Sequence, residues 1–343
     1  MDKVYNRRYV LTVIEQKVEL VSRVGAPAVP VVASQFHFQS TTPSFNDGAS
    51  EVLPQQQTPI VDEKITSGGD SVAIRGLHIE ADIKSASEAG STSSSTTIRI
   101  FNMSPQTRAK VEKPNAYVVL QAGYGDNLGI IFKGNITSFQ TVKEHPNVVT
   151  TLTCTDSDVT LRSAKVSYAW SPDFGTYGDV LKDIADKMKS GGGIAKGNIV
   201  TDKPNMTPLV APDDVQLKGG LSFQGYLSQL LDKICDQFDY VWYITLNELY
   251  IHPKYYTRFD TKFTVNANLI KSARPAQDKT NDKPDIEKPT SIVLETFLDN
   301  RFKVGSAISL EGDYRGDYKV MEVSHKLSYE GNEWDTVVKM EAI

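Results

Sequence analysis

Four β-like runs follow one another between Thr97 and Asp156, and they constrain this chain more than any other feature. They are Thr97–Phe101, Ala116–Tyr124, Ile130–Phe139 and Val148–Cys154. Each is rich in Val, Ile, Thr, Phe or Tyr, the side chains that fit a pleated surface. In the first, Ile98 and Ile100 alternate with Thr97 and Arg99. In the third, Ile130, Phe132 and Ile136 alternate with Lys133, Asn135 and Thr137. In the fourth, Val148, Leu152 and Cys154 alternate with Thr151 and Thr153. A two-residue period with one polar face predicts an antiparallel sheet covered on one side. Its polar face must meet solvent or line something wet. Between the first two runs, Ser104 is placed to cap a short helix, Pro105 suits its first turn and Pro114 stops it. Gly125-Asp126-Asn127 and His145-Pro146-Asn147 supply the two remaining turns.

Three segments in this stretch, IRIFNMSPQTRAKV, VVLQAGYGDNLGIIFKGNI and TTLTCTDSD, come in a telling order. Together they resemble the tube-like hub proteins of tailed-phage baseplates, and the C-terminal DYKVMEVSHKLSYEGNEWDTVVKMEAI resembles that family's closing hairpin. No single motif is diagnostic; the order of the elements carries the likeness, and the middle of the chain agrees only in element order. The resemblance implies a structural ring joining tail tube to spike, and not an enzyme. On that reading Arg99, Lys133, Asn135, Thr137, Thr151 and Thr153 face a channel.

The rest of the chain divides by pattern. Its 343 residues suffice for two or three domains. Tyr9–Val21 reads as a strand, and its apolar run is too short and too interrupted for a signal peptide. Residues 25–70 are rich in Gln, Ser, Thr and Pro, and a loop of that length is usually functional or disordered. Phe36, Phe38, Phe45, Ile60 and Val61 are its candidate anchors on a neighbouring subunit; the alternative is a loop packed on its own protein. Val72–Ser85 returns to strand. Two amphipathic helices follow the central stretch, Tyr177–Lys189 with Val180, Leu181, Ile184 and Met188 on one stripe, and Gln224–Phe238 with Leu227, Leu230, Leu231, Ile234 and Phe238. Thr176 and Asp179 form a box-like start for the first, and Ser222 is placed to cap the second. Tyr240–Thr245 and Glu248–His252 read as a hairpin. From Arg258 the pattern is β again, interrupted at Lys271–Thr290 by a charged, proline-containing segment that reads as an exposed loop.

Chemistry is sparse. The formal net charge of −5 offers nucleic acid no electrostatic invitation. Cys154 and Cys235, the only cysteines, read as buried thiols. His37, His78, His145, His252 and His325 show no metal-ligand spacing, and no Ser/His/Asp set stands out. SGGGIAKGN lacks the Gly-Lys-Ser/Thr ending of a phosphate loop and reads as a helix stop. The carboxylates Asp213-Asp214 and Asp156/Asp158 suit a cation or acid-base pair in principle, but loop carboxylates are mostly solvated.

The expectation is therefore a mainly β fold with an α+β middle: tail-tube-like antiparallel barrel or sandwich domains with two amphipathic helices. The domains are placed at 1–165, with the loop 25–70, at 166–260 for the helical insertion and at 261–343, whose strands can instead pair with earlier ones. The expected function is a baseplate hub, a ring leaving a channel for DNA. Its expected partners are further copies of itself in a trimer, a tail tube or distal tail protein, and a spike protein; DNA passes through without specific binding. No cofactor, metal or membrane anchor is called for, and the expected location is the virion baseplate, assembled in the host cytoplasm. Two rival readings remain, a tail-tip cell-wall hydrolase and a β-rich adhesin.

Overall fold

The computed structural model describes residues 6–15, 17–22, 61–66, 71–85, 95–113, 116–155, 165–192, 194–202, 210–254, 256–276 and 291–343; of these, 17–22, 61–66, 190–192 and 259–260 are described by backbone alone. Phe36, Phe38, Phe45 and Ile60 lie outside the described residues, as does the side chain of Val61. The first strands are β1 (Arg7–Ile14), β2 (Lys17–Ser22), β3 (Val61–Thr66), β4 (Ser71–Ile74), β5 (Ile79–Lys84) and β6 (Thr96–Phe101). Helix α1 (Pro105–Val111) precedes β7 (Tyr117–Tyr124), β8 (Asn127–Glu144) and β9 (Asn147–Thr155). The middle holds β10 (Lys165–Trp170), α2 (Tyr177–Gly192), β11 (Ala195–Ile199), β12 (Leu221–Tyr226), α3 (Leu227–Phe238), β13 (Tyr240–Thr245) and β14 (Glu248–Pro253). The chain closes with β15 (Arg258–Val265), β16 (Ile270–Pro275), β17 (Ser291–Phe297), β18 (Ser306–Leu310), β19 (Gly316–Ser328) and β20 (Trp334–Ala342).

The four central runs pair as an antiparallel sheet with Ile98, Phe132, Leu152 and Cys154 buried beneath it. The Ser104 side chain caps α1 by accepting the Thr107 amide at 3.1 Å, as its position predicts. The alternation fails at two places, each for a geometric reason. Between β7 and β8, Leu120 faces Phe132 but Gln121 faces Ile130, so Ile131 is an extra residue. That bulge turns Ile131 into the core, 5 % exposed, and leaves Ile130 half-buried, the reverse of the simple alternation. In β9, Val149 sits on the polar-face parity yet is 1 % exposed, opposite Phe101 on one side and Val142 on the other.

The middle segment packs α2 and α3 against β10–β12 and the small sheet β11-β14-β13. Helix α3 buries Leu227, Leu230, Leu231, Ile234, Cys235 and Phe238, the stripe expected of a half-buried helix. Its cap is Tyr226, not Ser222, because Leu221–Tyr226 is drawn into pairing with β10. Thr176 and Asp179 do form the reciprocal start of α2: Asp179 Oδ2 accepts the Thr176 amide at 2.9 Å, and Thr176 Oγ1 accepts the Asp179 amide at 3.2 Å. Asp179 is consequently held below the usual carboxylate range, chiefly by the Thr176 amide.

Ile270–Pro275 is a strand, not part of an exposed loop. Its backbone pairs with β17, with Ala273 opposite Leu294, and that long-range ladder overrides the polar, proline-bearing composition.

The C-terminal strands repeat the topology of the central ones. The first set pairs β5·β6, β6·β9, β9·β8 and β8·β7, all antiparallel. The second pairs β16·β17, β17·β20, β20·β19 and β19·β18, all antiparallel. Even the irregularity recurs: β8 carries an extra residue, Thr137, against β9, and β19 carries one, Met321, against β20. The two five-stranded units fuse into one sheet because Ser324–Ser328 of β19 pairs with Glu80–Lys84 of β5. Ser85 clamps the end of this seam: its amide donates to the Val323 carbonyl at 2.9 Å, and its hydroxyl accepts the Val323 amide at 3.0 Å. Trp334 and Leu327 join the core of the first unit, while Val320, Val323 and Met340 belong to that of the second.

Candidate assembly surface

The fused sheet runs β8-β9-β6-β5-β19-β20-β17-β16, eight strands whose one face packs on the cores and whose other face is polar. Rows of directly opposed residues cross that polar face. One row is Ser138, Thr153, Thr97, Asp82, Lys326, Asp335 and Phe297. Another is Gln140, Thr151, Arg99, Glu80 and Ser328. A third is Lys84, Ser324, Val337, Glu295 and Ser272. Opposed charges have opposite signs wherever they meet in these rows, the arrangement that stabilises neighbouring strands. Arg99 donates to Glu80 at 2.6 Å and to Glu144 at 2.8 Å, linking β5, β6 and β8 across four strands of the sheet. Lys271 reaches Asp335 and lies over the Phe297 ring.

Arg99, Lys84, Lys326, Lys339 and Arg274 are thus interleaved with Glu80, Asp82, Glu144, Glu322, Asp335 and Glu295. A surface of that kind holds no excess of cations with which to retain a phosphate backbone. Of the six residues read as facing a channel, Arg99, Thr151 and Thr153 stand together on this face. Lys133 and Asn135 lie on the first half of β8, beside β7, and Asn135 Oδ1 is buried without a partner among the described residues. Thr137 is the bulged residue, its hydroxyl donating to the Thr153 carbonyl at 2.9 Å.

Asp82, Lys326, Asp335 and the strand Ile270–Pro275 escape sequence reasoning. No local pattern places residues 82 and 326 side by side. The available signal was the repeat itself: TTIRIF and SIVLETF sit in equivalent strands, with Arg99 and Glu295 both facing the polar side and Phe101 and Phe297 closing each run.

Two edges of this eight-strand path are open among the described residues. At one end, β16 pairs only with β17. At the other, β7 leaves β8 at Asn135, so Ser138–Glu144 pairs with β9 alone. Phe139 and Val142, on opposite faces of that open segment, are 41 % and 43 % exposed.

Groups that suggested chemistry are paired structurally. Asp213 accepts from Lys182 at 3.2 Å and from Thr201 at 2.9 Å, and Asp214 accepts the Ala211 amide. Asp156 and Asp158 lie outside the described residues. A cleft of about 650 Å³ opens between Tyr124–Asn127 and Thr296–Phe302. Its carboxylates are held by arginines, Asp126 by Arg8 at 3.0 Å and Asp299 by Arg301 at 2.6 Å. Burial pushes the Cys154 thiol up to about 12 and raises that of Cys235 as well. Among the described residues, no group of three or more His, Cys, Asp or Glu is placed to hold a metal ion. None of the described helices is long and apolar enough to cross a membrane.

No protein-family model matches this sequence, and no curated protein does either. Solved structures do share its fold. The 43 kDa tail protein of prophage MuSo2 from Shewanella oneidensis superposes with a TM-score of 0.53 at 10 % identity, over 79 % of this chain and 94 % of that one. A tail protein from Neisseria meningitidis MC58 gives 0.54 at 11 % identity, over 79 % and 93 %. The mainly β architecture is thus similar to the folds of these two tail proteins.

Proposed function

We propose that this protein is a structural hub of a bacteriophage tail, a ring of three copies between the tail tube and the central spike, with a channel through which DNA passes. The observation that carries this reading is the duplicated unit. One chain presents two equivalent five-stranded units in a single sheet with one polar face and, among the described residues, two open edges, so three chains present six. A heterologous contact that closes on itself generates a ring. The polar face, with its balanced charges, suits a wall past which DNA moves without sticking. Arg99, Thr151 and Thr153 line it, with Asp82, Lys326 and Asp335. The protein belongs to the virion tail on this reading and acts by assembly, not by catalysis.

Light scattering of the purified protein, alone and mixed with the spike and tube proteins of the same tail, tests the proposal. A trimer, or a monomer converted to a trimer by either partner, is expected. A monomer that never associates with them would sink it.

A further inference from the structure

The chain displays one joint of the ring within itself, and the position of that joint identifies the other. In the second unit, the half of β19 beyond its bulge is paired on its far side by β5. In the first unit the equivalent half of β8, Ser138–Glu144, has no strand on that side among the described residues. Strand β5 is the outermost strand of its unit, and its equivalent in the second unit is β16, whose outer edge is likewise open. We infer that β16 of one copy pairs antiparallel with Ser138–Glu144 of the next copy, continuing the sheet from subunit to subunit. This rests on the ring reading and assigns its contact.

Aligning the bulges at Thr137 and Met321 fixes the register. His325 opposes Ile83, Lys326 opposes Asp82 and Leu327 opposes Ala81 in the internal joint. The equivalent pairs between copies are Thr141 with Pro275, Val142 with Arg274 and Lys143 with Ala273. Val142, exposed in one copy, gains the aliphatic stem of Arg274 as cover. Glu144 comes diagonally within reach of the same guanidinium, beside its own bond to Arg99. Pro275 has no N–H, so this joint lacks one ladder hydrogen bond that the internal one has. A proline there also discourages indiscriminate pairing of an exposed edge.

Cysteines test the joint. Ser85/Val323 is a hydrogen-bonded pair, so by alternation His325/Ile83 is hydrogen-bonded and Lys326/Asp82, one step further, is not. The equivalent pair Val142/Arg274 is then non-hydrogen-bonded too, with Cα atoms about 4.5 Å apart, within disulfide range. The double variant Val142→Cys/Arg274→Cys in the full chain, oxidised mildly, should give covalent dimers and trimers on denaturing gels, with nothing larger, while each single variant should give no trimers. Lys143→Pro is the complementary probe. The Lys143 N–H points to the open edge, so this change should spare circular dichroism and melting temperature but abolish the trimer. A trimer by light scattering without cross-links in the double variant, or a trimer that survives Lys143→Pro, overturns the joint and leaves the ring reading standing. Monomers at every concentration, with and without the spike protein, and no cross-link overturn both.

Discussion

His325 and Thr336 face each other across β19 and β20, with Nδ1 of the histidine 2.9 Å from the threonine hydroxyl. Thr336 Oγ1 in turn accepts the Asp299 amide at 2.9 Å, so one buried threonine ties both hairpin strands to the turn after β17. Burial pushes the His325 imidazole down to about 4, with Asp299 opposing the shift. His252, buried beside Tyr243, is pushed down to about 3 by burial, with Lys319 and Arg258 adding to it. Both histidines fold as neutral groups and would protonate at about 6.5 in the unfolded chain. Their contribution is therefore complete above about pH 6.5 and is lost as pH falls towards 4, at about 1.4 kcal/mol per pH unit for each. Urea unfolding at pH 7.5, 6 and 5 should show that decline, and His325→Gln should remove the His325 share of it and leave that of His252.

Leu152 and Thr151 are neighbours with opposite environments, the first fully buried and the second half-exposed on the polar face. Leu152→Asp buries an unpaired carboxylate at a cost of several kcal/mol, enough to unfold a marginal domain. Thr151→Asp should leave the fold intact. Soluble yield and circular dichroism of the two variants check this. Tolerance of Leu152→Asp with collapse of Thr151→Asp would mean that the sheet is inside out.

Gly134 is required by close approach. A Cβ there would stand 2.1 Å from the Thr155 carbonyl oxygen and 2.7 Å from the Phe132 ring. Gly134→Ala should lower stability by about 1–3 kcal/mol through this overlap. Gly219, where a Cβ meets nothing within 4 Å, is the control, and Gly219→Ala should stay within about 0.5 kcal/mol of the parent.

The Arg99 ion pairs are partly exposed, with about a third of the arginine side chain open to water. Arg99→Met should change stability by less than about 1 kcal/mol, and 0.5 M salt, on the order used to screen such pairs, should erase most of the difference. A loss several times larger in thermal melts would show that the polar face holds the sheet together instead of facing solvent.

Local periodicity was enough to reveal the central sheet, its two faces, the caps of α1 and α2 and the stripe of α3, because burial of Ile98, Leu152 or Leu230 follows from hydrophobicity repeated at the period of the element. Three things had no local signature. Ile131 and Thr137 are bulges, and which residue a strand extrudes depends on the twist of the ladder it joins. Ile270–Pro275 has the composition of a loop and becomes a strand only because β17 offers it a partner. The seam between β5 and β19 joins Asp82 to Lys326, far apart along the chain. Alternation says that a strand has a core face; backbone hydrogen bonds, alike at every residue, do not say which strand lies beside it. That choice, which fuses two units into one sheet and leaves two edges open among the described residues, was made by the packing of strands far apart along the chain.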